Sequence, residues 1–141
     1  MLIAEAKLGS RNIGGIINDI ERIVTLLTMY HEFELLSAGD IYGAVVFHVM
    51  KEGAAATSVV SKSQTVLIGI NNFLAGLSLT HTWLQHKAGL LKSAQIYQPV
   101  RGYEEAHEDD QVEQVLGKDQ FFFAPGLVLL GNAQDIVHAT F

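Results

Sequence analysis

Cysteine is absent from the 141 residues, which removes disulfides, thiolate metal sites and a cysteine nucleophile together. Proline occurs only at Pro99 and Pro125, so no proline-rich linker divides the chain. Charge is scarce as well. Charged residues make up 17% of the sequence, where about 25% is ordinary. The apolar fraction of 49% is ordinary. A small chain with so few charges has apolar surface to hide, and a homo-oligomer is the usual way to hide it.

Basic residues number nine and are scattered from Lys7 to Lys118 without a cluster, within a net charge of −6. Sequence-independent nucleic-acid binding rests on phosphate neutralisation, so no nucleic-acid partner is expected. A polybasic membrane patch is excluded on the same ground. The opening MLIAEAKLGS places Glu5 and Lys7 where a signal peptide needs an apolar run, so no signal peptide is expected. Residues 65–84, TVLIGINNFLAGLSLTHTWL, are uncharged, yet Asn, His, Ser and Thr dilute them. They read as buried globular sequence rather than a membrane span.

What is present suits one soluble domain over 1–141 with an α+β fold. Ile13, Ile16, Ile17, Ile20, Ile23, Val24, Leu27 and Tyr30 recur at helical spacing, with Asn18, Asp19, Glu21, Arg22, Thr25 and Glu32 between them. The spacing predicts a helix over about 14–36, stopped by Ser37-Ala38-Gly39-Asp40. Leu26, Met29 and Phe33 widen its apolar stripe towards a second surface.

Residues 41–51, IYGAVVFHVMK, are β-branched and aromatic, as a strand requires. Ile41, Val45, Phe47 and Val49 fall on one face, Tyr42, Val46, His48 and Met50 on the other. Neither row is polar, so both faces are expected to be covered. A second strand is expected over 64–70, QTVLIGI, and residues 72–94 read as strand followed by helix. The run FFFAPGLVLLG reads as two strands around a Pro125-Gly126 turn. With IVHATF it predicts a C-terminal β-meander after the long N-terminal helix and mainly antiparallel sheet. In FFF, Phe121 and Phe123 share a face and Phe122 takes the other.

Motifs for chemistry are sparse. Glu104, Glu105, His107, Glu108, Asp109 and Asp110 offer oxygen-rich ligands, but the alternating carboxylates and turn glycine of a Ca²⁺ loop are missing. A solvated acidic loop is the expectation, with no metal and no cofactor. His81 and His86 are badly spaced for chelation on a helix or a strand. His31 has Glu32 beside it, but adjacent helical residues do not face each other. GSRNIGG at 9–15 lacks the Lys-Ser/Thr that completes a phosphate loop, and no G-x-S-x-G elbow exists.

The reading that follows is a non-enzymatic, self-assembling structural protein, for instance a capsid, decoration or tail subunit of a virus or bacteriophage particle. Its expected interface is Tyr42, Val46, His48 and Met50, or Phe122. The rival is a small α+β enzyme or ligand carrier in which His48 or His81 acts as acid/base inside an apolar pocket. An acidic adaptor for a basic partner is a third reading.

Overall fold

The computed structural model describes residues 2–6, 13–32, 39–52, 56–91, 99–101 and 120–141. The acidic stretch 104–113, with His107, and Phe33 lie outside them. The α+β architecture is as expected. In chain order the elements are β1 (Leu2–Ala6), α1 (Ile13–Glu32), β2 (Tyr42–Glu52), α2 (Ala56–Thr80), β3 (Gln85–Leu90), β4 (Pro99–Arg101) and β5 (Gln120–Gly131). A 3₁₀ turn follows at Gln134–His138. The strands form one sheet in the order β1-β2-β5-β3, with β4 also paired to β5. β1 runs parallel to β2, and every other pairing is antiparallel. The last strand in sequence is therefore central in space: β2 and β3 meet only through β5.

The expected strand 41–51 forms with its two faces as the alternation predicts. Val45, Phe47 and Val49 are buried towards the helices, opposite Val128, Gly126 and Ala124 of β5. Tyr42, Val46 and His48 lie on the other side. Helix α1 buries Ile16, Ile20, Ile23, Val24 and Leu27. Helix α2 adds Val59, Val66, Ile70 and Leu74 to the same core. Full burial of such side chains stabilises by about 1.5–3 kcal/mol each. Both helices contact β2, β5 and each other, so they share one face of the sheet.

Three expectations are corrected. The strand expected at 64–70 is the middle of α2. Its β-branched residues imitate a strand locally, but Val59, Ser63, Val66, Ile70 and Leu74 recur at helical steps over a longer span. The hydroxyls of Ser63, Thr65 and Ser78 donate to Val60, Ser61 and Leu74 carbonyls at 2.8–3.2 Å, so they are satisfied inside the helix. The order expected within 72–94 is consequently reversed, with helix to Thr80 and then strand β3.

Second, FFFAPGLVLLG is one strand with no turn at Pro125. Leu91 N–H donates to the Pro125 carbonyl at 3.0 Å, so Pro125 faces the β3 edge with its nitrogen as well. Proline has no N–H to return that bond. The pairing with β3 ends there at Leu90–Gly126 and resumes with β4 only at Phe122. Towards β2 no donor is lost.

Third, the C-terminal meander is replaced by the single strand β5 and the 3₁₀ turn, since IVHATF forms no strand. Asn132 fastens this corner: its side-chain oxygen accepts from Ile41 N–H at 2.8 Å, and its own N–H donates to the Ile41 carbonyl at 3.3 Å.

Gly126 is required where it stands, because a Cβ there would overlap the Phe47 ring. Gly126→Ala is expected to cost about 1–3 kcal/mol by overpacking. In urea denaturation, combining it with Phe47→Leu is expected to cost less than the two separate losses added together. Strict additivity would show that ring and glycine do not depend on each other.

Candidate functional site

Among the described residues, the sheet has one face covered by both helices and one face that no helix covers. The β2–β5 register sets Tyr42 against Gly131, Ala44 against Leu129, Val46 against Leu127 and His48 against Pro125. These residues form the outer face. Val46 is 40% exposed, while Pro125, Leu127, Leu129 and His48 are half-buried. The Met50 position continues this row opposite Phe123. Phe122 pairs with Lys51 along the same strands. Of the expected interface residues, Tyr42, Val46 and His48 share one row.

Part of this face is closed by the chain's own C-terminus. Ile136 of the 3₁₀ turn is buried, and Lys87 Nζ donates to the Val137 carbonyl at 3.1 Å. Phe141 lies against Gly89, where a Cβ would overlap its ring. The Tyr42 hydroxyl donates to the Asp135 carboxylate at 3.3 Å. Desolvation, then the charges of Asp135 and Asp40, raise this phenol above its ordinary 10.0. The tail therefore covers the β3 side, while Val46 stays exposed beside half-buried Leu127 and Leu129 among the described residues. The alternation in the sequence placed Tyr42, Val46 and His48 in one row. It missed Leu127 and Leu129 because a turn was assumed at Pro125.

Histidines do not gather into a catalytic group. His31 stacks on Trp83 with ring centroids 4.4 Å apart, and His81 meets the same indole edge-on at 6.2 Å. This aromatic cluster ties the end of α1 to the turn after α2. His48 lies on the open sheet face instead, so His48 and His81 share no pocket. His86 falls in the helix-facing row, opposite Leu130. No group of three or more His, Asp or Glu residues suited to a metal ion occurs among the described residues. No helix among them is long and apolar enough to cross a membrane.

A cleft of about 400 Å³ runs along α1 beside Asn18, Asp19, Glu21, Arg22 and Thr25. The helical pattern assigned Asp19 to the solvent face, yet it is 1% exposed, with the Arg22 guanidinium at 3.7 Å. Ser63 and Ser78 donate to carbonyls of their own helix.

No family model, curated protein or solved structure matches this chain. Geometry alone carries the functional argument. The open apolar strip is its strongest feature, since an ordinary domain covers such a surface or presents it to a partner.

Burial holds the His86 imidazole below its ordinary pKa of 6.5. The unfolded chain then binds more protons than the folded one below that value. His86 withholds no stability above about pH 6.5, and stability is lost as pH falls towards the depressed folded pKa. The thermal midpoint of wild type is expected to drop below pH 6.5 more than that of His86→Gln. Parallel profiles would remove His86 as the cause.

Proposed function

We propose that this protein is a non-enzymatic subunit of a self-assembling structure, with the open sheet face as its contact with a second copy. A capsid, decoration or tail component of a virus or bacteriophage particle is the concrete form of that reading. The observation that carries it is the strip of exposed Val46 with half-buried Leu127 and Leu129, apolar and without helical cover among the described residues.

Charge supports a second copy as the occupant. The chain carries −6 overall, so two copies repel unless they meet through neutral surface. This strip offers such a surface: Lys87 at its margin is turned to the Val137 carbonyl and Tyr42 to Asp135. Two copies related by a two-fold axis place the same strip against itself, which is how most homodimers form.

The enzyme and ligand-carrier reading needed His48 or His81 inside an apolar pocket. His48 lies on the open face, and His81 meets Trp83 edge-on. An acidic adaptor is left with the 104–113 stretch, outside them.

Sedimentation velocity at micromolar concentration is the test. A dimer or larger species is expected, and Val46→Glu is expected to shift the distribution towards smaller mass with an unchanged circular dichroism spectrum. A wild-type protein that sediments cleanly as a monomer would sink this reading.

A further inference from the structure

Helix α2 turns one face to the sheet and the opposite face to solvent, and the solvent face is unusual. Ser61, Thr65, Ile68, Asn72, Ala75 and Leu79 are all exposed, and their spacing alternates between four and three residues. That is the step of a seam along which two helices pack, knob into hole. No ionisable residue occurs from Ser63 to Thr80. A solvent-facing helix normally carries charges there. Ile68 is instead 61% exposed and Leu79 83%, while Gly76 beside Ala75 has open space around it.

We propose that α2 is a second self-association surface, on which it pairs antiparallel with α2 of another copy along this seam. The pairing is centred between Asn72 and Ala75. Each Ile68 then lies against Leu79 of the partner copy, in two apolar layers. Between them the small Ala75 lets the helices approach, and the two Asn72 amides meet close to the two-fold axis. A single polar Asn at such a position fixes register by penalising every alignment that leaves it unpaired.

Two observations choose this occupant and this direction. The face is neutral on a chain of net charge −6, so it is a place where like-charged copies meet without repulsion, whereas a charged partner finds nothing there to recognise. Helix α2 also has no acidic residue in its first turn and no basic residue in its last. Side-by-side parallel helices would bring like ends of their dipoles together uncompensated, and antiparallel ones bring opposite ends together.

The contact does not depend on the sheet-face reading, because the two surfaces lie on opposite layers. Together they permit growth beyond a dimer, since two different two-fold contacts on one subunit build either a closed dihedral assembly or an open chain.

The test uses the full chain and its lack of cysteine. In the proposed register, residue 75 and its mate are offset along the axis by about 4.5 Å, and residue 65 and its mate by about 26 Å. Under mild oxidation Ala75→Cys is expected to form a covalent dimer at least tenfold faster than Thr65→Cys, by non-reducing electrophoresis. Equal rates at both positions overturn the antiparallel pairing. In sedimentation, Val46→Glu is expected to remain a dimer through α2, and Val46→Glu with Ile68→Glu to become a monomer of half that mass.

If Val46→Glu alone is already monomeric, the α2 contact is overturned and the sheet-face reading stands. If Ile68→Glu lowers the mass and Val46→Glu leaves it unchanged, the α2 contact stands and the sheet-face reading fails. Both positions are exposed in the single chain, and unchanged circular dichroism spectra establish that the variants remain folded.

Discussion

The antiparallel pairing of β5 with β2 is the constraint on which the rest of the structure depends. It aligns all 11 residues of β2 with a strand from the far end of the chain. The segments before it form two strand–helix–strand passes, β1-α1-β2 and β2-α2-β3, but β2 and β3 are not neighbours in the sheet. Only when β5 enters between them do their backbone groups find partners, and a buried backbone group without one is costly. Phe47 on Gly126 and the two bonds between Asn132 and Ile41 then lock the register. Closing so long a stretch of chain before its contacts form slows folding.

That pairing also makes the molecule two-sided. One row of β2 and β5 is sealed beneath α1 and α2, and the other is met by the short C-terminal tail, at Lys87 and Gly89 of β3 and at Tyr42 of β2. An apolar strip on the sheet and a neutral seam on α2 consequently face away from each other. In a domain with so few charges these are the surfaces most readily taken from water, and each suits another copy of the same acidic chain. The proposed self-assembly therefore rests on how the core is distributed rather than on a dedicated catalytic or ligand cluster.

Much of the first half was legible. The three- and four-residue steps of Ile16, Ile20, Ile23 and Leu27 marked α1, and the two apolar rows of 42–49 marked β2 and its faces. The errors have separate physical causes. In α2, β-branched residues and the absence of charge imitated a strand, because seven residues are too few to separate the periods. Around Pro125 the dipeptide Pro-Gly has the chemistry of a turn, and it became a strand interior because β3 ends at that point. Asp19 looked solvent-facing by pattern, but its burial follows from three-dimensional enclosure and the nearby Arg22. Of the candidate interface, the Tyr42, Val46 and His48 row followed from alternation alone, whereas the position of Phe122 required the β2–β5 register.

Composition and periodicity by themselves determined that this chain has no thiol, no run of basic residues, an amphipathic N-terminal helix and a strand with two apolar faces. These are local properties: each depends on residue types a few positions apart. Tertiary structure decided which face is covered, because that depends on where the last strand enters the sheet and where the C-terminal tail lies. It also decided that the uncharged stretch after Ser63 is a helix with an exposed seam. A helix and a strand of this composition differ little in local preference, and packing on the sheet tipped the balance.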